Sequence, residues 1–262
     1  MAFRANEVMP GVYHIQDCMG VCMTLLTGSK SALLVDTGYG VEDVAAYVRT
    51  LTDKPLTVIV THAHHDHALG AMHFAHTLMF PQDLADFDTY TGEYQRQRVL
   101  TSAHAKGIAV DDAAYLAKPI AKPGELCEQS MDLGGLTAQI MLCPGHTPGS
   151  AVVYVPEKKL LLSGDDWNPC TWLFFPAALG AKAYRANVTK LMELPFEHVL
   201  CSHQPVLFER AKMAGFVEHL NDDNLRAAPA VDIAPYEAID THQADMGDGQ
   251  IFVFDWQKAG LE

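Results

Sequence analysis

Two stretches of this chain follow one plan. Residues 31–62 read "SALLVDTG", an amphipathic run and "LTVIVTH"; residues 159–203 read "KLLLSGDD", an amphipathic run and "HVLCSH". Each is a strand ending at an aspartate, a helix, and a strand ending at a histidine. Short, continuously apolar strands joined through a helix mark parallel neighbours buried on both faces. Two copies of such a unit confine the chain to an α/β architecture, with the polar residues that end the strands gathered at one rim.

The remaining sequence agrees with that reading. Strands are expected at 11–16, 21–27 and 31–38 as an opening meander, with "TGSK" turning into the last of them. Val41, Val44, Ala45, Val48 and Leu51 recur at helical spacing and make one apolar stripe. In the second half, 137–143 and 151–155 are strands, and Tyr184, Val188, Leu191 and Met192 share a helical face that stops before Pro195. A further helix falls at 206–223, "RAAPAVDIAP" reads as an extended connector, and "IFVFDW" (251–256) as a last edge strand. Residues 80–125 are helix-like but irregular. They form either a lid facing the substrate, through Tyr90, Tyr94, His104 and Tyr115, or a surface helical pair.

With 262 residues, 49% of them hydrophobic, the chain can bury a large core. It holds no apolar run long enough for a membrane span and no apolar segment of the kind a signal peptide carries, so a cytoplasmic location is expected. The six cysteines fall in no framework spacing and read as reduced thiols, mostly buried. A formal net charge of −14 argues against a nucleic-acid partner, which is attracted through basic patches. A small-molecule substrate is the expected partner.

Chemistry concentrates in "THAHHDHALG" (61–70). In an extended segment residues two apart point the same way, so His62 and His64 reach one ion together. "HALG" begins a helix, which projects Asp66 and His67 from another direction, while alternation turns His65 away. Neutral imidazole and carboxylate are the ligands that zinc and similar cations prefer. His146 lies in a Gly/Pro-rich loop after a strand, Asp165 ends the strand of "LLLSGDDW", and His203 ends that of "VLCSHQP". All three are candidate ligands. Asp36, ending "ALLVD", either fixes an imidazole tautomer or caps the "DTG" turn.

Substrate contacts are expected nearby. "DDWNPCTWLFFP" (165–176) carries Trp167, Trp172, Phe174 and Phe175, which either line a pocket for an acyl or aromatic group or serve as core or a homodimer contact. "DCMGVCM" (17–23) reads as a hairpin over the site, with Met19 and Met23 as adaptable contacts. Of the other histidines, His14 and His104 stand out, and His104 joins the substrate set.

In order and content, "THAHHDHALG", "PGHTPGS", "SGDD" and "CSH" resemble the HxHxDH motif set of the metallo-β-lactamase superfamily. Over roughly residues 10–205 the resemblance implies the αβ/βα four-layer sandwich; the chain reads as a single domain over 1–262, with a helical insertion at about 80–125 and a C-terminal extension at about 225–262. It implies two divalent metal ions, zinc first, with iron or manganese as alternatives. His62, His64 and His146 would hold one ion, Asp66, His67 and His203 the other, and Asp165 would bridge them. Asp66 would also orient the water and move a proton. Secreted β-lactamases of this superfamily carry cysteine where Asp165 stands, so antibiotic hydrolysis is not expected. The implied function is a dinuclear hydrolase attacking a small carboxylic ester, thioester or lactone with a metal-bound hydroxide. A phosphodiesterase or iron-dependent redox enzyme on the same scaffold, and a non-catalytic metal-binding protein, are the alternatives.

Overall fold

The structure, a computed structural model, describes residues 3–261. Its first sheet has seven strands in chain order: β1 (Arg4–Met9), β2 (Val12–Gln16), β3 (Cys22–Thr27), β4 (Ala32–Val35), β5 (Leu56–Ile59), β6 (Leu78–Met79) and β7 (Gly124–Glu125). The second contains β8 (Gln129–Asp132), β9 (Thr137–Leu142), β10 (Ala151–Val155), β11 (Leu160–Leu162), β13 (His198–Leu200) and β14 (Phe208–Glu209). A small third sheet places β16 (Ile251–Asp255) between β12 (Cys170–Leu173) and β15 (Thr241–Asp245).

The two large sheets repeat one connectivity. β1 to β4 pair antiparallel in succession, and β4 then pairs parallel with β5 after helix α1 (Val44–Leu51). β8 to β11 do the same, and β11 pairs parallel with β13, with helix α6 (Ala181–Leu191) in the connection. The duplication expected from the strand endings is therefore present in the hydrogen-bonded topology.

Alternation along the strands builds the layers. Leu33 and Val35 of β4 face the second sheet, where they meet the apolar face that includes Val153, Leu160 and Leu162. Leu34 faces the other way, against Val44 and Val48 of α1. On the far side, Leu161 and Val199 pack with Tyr184 and Val188 of α6, and with Met213 and Phe216 of α7 (Arg210–His219). Each fully buried aliphatic side chain is worth about 1.5–3 kcal/mol. Helix, sheet, sheet, helix is the αβ/βα sandwich.

Several expectations need correction. β16 is central in its sheet, because the segment after Asp165 supplies β12 on its other side. The helix expected at 206–223 breaks at Leu220, and Asn221 caps a separate α8 (Asp222–Ala227) by accepting from the Asn224 N–H. Of the six free cysteines, Cys22, Cys143 and Cys201 are buried, Cys18 is half-buried, and Cys127 and Cys170 are exposed. Between β5 and β6 lies α2 (His65–Ala68), and between β6 and β7 lie α3 (Phe87–Thr91), α4 (Glu93–Ala105) and α5 (Asp112–Ala117). Among the described residues no helix is long and apolar enough to cross a membrane.

Candidate metal centre

The carboxyl ends of β4, β5, β11 and β13 meet at one edge of the sandwich. After β5 the chain bends continuously from Thr61 to His64, the N-cap residue of α2, rather than staying extended as expected. His62 and His64 thus come from a bent loop, Asp66 and His67 from the helical turn. That turn lies directly against the loop after β4: Thr37 donates through its N–H and its Oγ1 to the His67 carbonyl, at 3.0 and 2.6 Å. Contact is close enough to require Gly70, where a Cβ would fall 1.9 Å from the Thr37 carbonyl oxygen.

Nε2 of His62 and Nε2 of His146 lie 3.1 and 2.8 Å from Nδ1 of His64. Asp165 Oδ2 lies 2.9 Å from His203 Nε2, 3.4 Å from His67 Nε2 and 3.7 Å from His146 Nε2. Asp66 Oδ2 is 3.5 Å from His203 Nε2 and 3.6 Å from His67 Nε2. The seven expected residues thus form overlapping groups whose ligand atoms lie within 4.8 Å of one another: His62, His64 and His146; Asp66, His67 and His203; and Asp165 with His62 and His67. Asp165 stands between the two sets.

The donors fit cations. His67 Nδ1 donates to Asp36 Oδ2 at 2.8 Å, and His146 Nδ1 donates to the Trp172 carbonyl at 2.7 Å. His62 Nδ1 lies 3.1 Å from Thr61 Oγ1, whose own proton goes to Asp36. In each case the outer nitrogen carries the proton and the Nε2 lone pair faces the cluster, the arrangement of a ligating imidazole. One proton on His64 would satisfy only one of its two close nitrogens; a cation satisfies all three. His67 Nε2 and Asp165 Oδ1 are also buried without a hydrogen-bond partner. Asp36 therefore acts on the imidazole rather than as a simple turn cap, and it holds a left-handed φ of +70° to do so.

Electrostatics divide the donors, keeping His62, His64 and His146 neutral and drawing positive charge to His67 and His203. Burial, reinforced by the neighbouring imidazoles, holds His62 and His64 well below the usual histidine range, and burial lowers His146 too. Burial also disfavours charge on His67 and His203, but the surrounding carboxylates outweigh it and raise both. Burial likewise opposes ionisation of Asp66 and Asp165. The imidazoles prevail, holding Asp66 to about 2 and Asp165 well below the carboxylate range.

Two aspartates not singled out as site residues hold the ligand loops. Asp83 is buried and accepts from Ala63 N–H (3.0 Å), Thr147 Oγ1 (2.8 Å) and Gly149 N–H (2.6 Å), so it ties the His62–His67 loop to the His146 loop. Gly149 is required there, since a Cβ would lie 2.6 Å from Asp83 Oδ1. Asp166 accepts from the His146 N–H at 3.1 Å. His14, also buried, reaches across to the Gln204 carbonyl at 2.9 Å and steadies the loop that carries His203.

Above the cluster lies a cavity of about 410 Å³. Trp172 lines it as expected, beside Phe175, Tyr90 and Tyr236. The rings of Tyr90 and Phe175 stand 4.5 and 4.7 Å from that of His64. The other expected substrate contacts lie elsewhere. β12 ends at Leu173, so strand alternation stops before Phe174, which is buried and stacks on Phe175 at 4.7 Å. Trp167 points into the second core, edge-on to Phe208 at 5.5 Å. Asp17 accepts three backbone N–H groups of the 17–21 turn, which is thereby tight rather than a mobile flap, and Met19 packs on Leu69 and Leu100. His104 sits on the exposed side of α4 and pairs with Asp112 at 3.0 Å. Tyr94 is exposed, and Tyr115 is buried with its hydroxyl donating to the Tyr39 carbonyl. His65 lines the cavity, with Nδ1 buried and unpartnered.

A histidine–aspartate centre at the strand ends of an αβ/βα sandwich defines a class of metalloprotein. The chain belongs to the metallo-β-lactamase superfamily, whose family model matches residues 17–203. It is 27% identical over 188 residues to an acyl-coenzyme A thioesterase from Gallus gallus, covering 65% of this chain and 66% of that protein. A hydroxyacylglutathione hydrolase from Haemophilus influenzae is 26% identical over 163 residues, 61% of this chain and 70% of that one. The solved structure of TTHA1623 in a di-iron-bound form superposes with a TM-score of 0.55 at 27% identity, over 74% of this chain and 92% of the other. The chain thus spans just under two thirds of the Gallus gallus protein's length.

Proposed function

We propose that this protein is a dinuclear metal-dependent hydrolase of a small carboxylic thioester, ester or lactone. The observation that carries the proposal is the group of Asp165 with His62 and His67, which shares a histidine with each of the two other donor groups, at the floor of a cavity walled by Trp172, Phe175, Tyr90 and Tyr236. Two of the similar proteins are thioester hydrolases by name, which puts thioesters first. Zinc is the first candidate metal, and the di-iron form of TTHA1623 supports iron as the alternative.

His62, His64 and His146 would hold one ion and Asp66, His67 and His203 the second, with Asp165 shared. When bound, paired divalent ions lower the pKa of a water from about 15.7 toward 7 and polarise the carbonyl oxygen. The protein's part is placement. Asp36, Thr61 and the Trp172 carbonyl fix the imidazoles, so the ligand geometry needs no rearrangement when substrate arrives. Asp66 is ionised and borders the cavity; its carboxylate accepts a hydrogen bond from the attacking water and orients it. Hydroxide adds to the carbonyl carbon, the C–S or C–O bond breaks, and the leaving thiolate or alkoxide takes up a proton from solvent. The aromatic wall excludes water from the acyl group.

Elemental analysis of protein purified without added metal, run beside thioester, lactone and phosphodiester substrates, tests this reading. Two equivalents of divalent metal with thioester or ester turnover are expected. One iron without such turnover, or turnover confined to the phosphodiester, would overturn it.

A further inference from the structure

Two arginines, two residues apart on α4, are used in opposite ways. Arg96 is buried, and its guanidinium donates to the carbonyls of Thr91 (2.9 Å), Tyr115 (3.3 Å), Leu116 (3.1 Å) and Lys118 (2.6 Å). Through Nε and Nη1 it fastens the end of α5 to the start of α4. Arg98 is half-buried on the cavity wall, and its Nη1 donates to Gln95 Oε1 at 3.2 Å. The Tyr94 ring lies 5.9 Å from its guanidinium carbon, the outer limit of a cation–π contact. Among the described residues Arg98 makes no ion pair. Most of its five N–H donors are unspent.

Its surroundings make this notable. Arg98 is the single Lys or Arg among the residues that line the cavity, in a chain of net charge −14 whose cavity floor holds Asp66 and Asp165. An arginine serving only solubility would sit outside; one serving the fold would spend donors on several backbone carbonyls, as Arg96 does. A guanidinium drawn partly out of water without an anion is costly to keep, and an arriving anion offsets that cost. Gln95, also on the wall, turns its Oε1 to Arg98 and leaves its amide nitrogen as a further donor. A planar guanidinium fork matches the two oxygens of a carboxylate.

We propose that Arg98 and Gln95 bind a carboxylate carried by the substrate away from its scissile carbonyl, on the acyl or the leaving side, so that the preferred substrates are anionic. The aromatic wall takes the apolar part between the two ends. This proposal rests on the hydrolase reading for its kinetic arm and stands apart from it in its binding arm.

The kinetic arm compares the S-phenyl monothioester of succinate with S-phenyl butanethioate, which has a methyl in place of the carboxylate. Wild type is expected to prefer the succinyl compound by about tenfold or more in kcat/KM, mainly through KM. R98Q is expected to bring that ratio close to one at wild-type metal content, and R98K, with charge but no fork, to keep part of it. S-(4-carboxyphenyl) butanethioate asks whether the oxyanion sits on the leaving side instead; an R98Q-specific loss with either anionic substrate upholds the proposal. Equal losses on charged and neutral substrates, or no change in the ratio, overturn it. The binding arm uses calorimetry on the metal-loaded protein with N-phenylsuccinamate and N-phenylbutanamide. Should wild type cleave no thioester, the hydrolase reading fails, yet weaker binding of the succinamate alone to R98Q still upholds the role of Arg98. Equal binding by wild type and R98Q overturns it.

Discussion

The two halves of the sandwich share a connectivity and deliver their metal-facing side chains differently. The first half places four of them within six residues, 62–67, on one loop and one helical turn; the second spreads three over separate loops at 146, 165 and 203. The contrast is sharpest between Asp36, the first residue after β4, and Asp165, which lies beyond Ser163 and Gly164 in the loop after β11. Asp36, at φ +70°, bends back onto Thr61 and His67, whereas Asp165 reaches the centre between the two donor groups. Duplication supplies a location at the rim. Local backbone conformation decides whether the carboxylate there meets a cation or supports a ligand that does.

Substitutions at these positions put that contrast to the test. The largest effect is expected for Asp165→Ala, which removes the carboxylate that reaches both groups: kcat/KM falls roughly 10³-fold or more and bound metal drops below two equivalents by elemental analysis. A fully active variant with two metals would erase the distinction between the halves. Next is Asp83→Ala, which cuts the tie between the first-half loop and the second-half loop and leaves three buried donors without their acceptor. A loss of about 3 kcal/mol is expected by urea unfolding, with Asp83→Asn falling between the two. Asp36→Ala is expected to cost about 10–100-fold in metal affinity, measured by chelator competition, because His67 loses the acceptor that fixes its tautomer. A loss as large as that of Asp165→Ala would mean the two aspartates act alike. The smallest effect is expected for Trp172→Ala: about tenfold in kcat/KM for an aryl thioester relative to an acetyl one, with metal content retained, since His146 bonds the Trp172 backbone.

What was legible in the sequence follows from the same physics. His62, His64, Asp66, His67, His146, Asp165 and His203 all stand at or just past strand ends, where a polar residue after an apolar run has nowhere to point but the rim. The repeated strand, helix, strand plan exposed the topology for that reason. Asp83 was not legible, because its partners Ala63, Thr147 and Gly149 are far apart in sequence and nothing local distinguishes it from a surface turn residue. Phe174 and Phe175 could not be told apart, because alternation predicts facing only while the strand lasts, and β12 ends at Leu173. Pro235 and Tyr236 line the cavity from a connector with no periodicity to read. β16 looked like an edge because its neighbour β12 lies some eighty residues upstream, roughly the separation at which sequence pattern carries no pairing information.

The first sheet shapes how this fold changes over evolutionary time. Leu78 of β6 pairs with Gly124 of β7, so the chain leaves the sheet and re-enters it at adjacent strands. The helices between, α3 to α5, are an excursion hung from two neighbouring points, and they carry Tyr90, Gln95 and Arg98 but none of the seven candidate ligands. Asp83, which braces the ligand loops, ends a 3₁₀ turn (Pro81–Asp83) ahead of α3 and stays with the sheet. A lineage can therefore exchange this excursion as a graft, acquiring a new substrate range while inheriting its metal centre untouched.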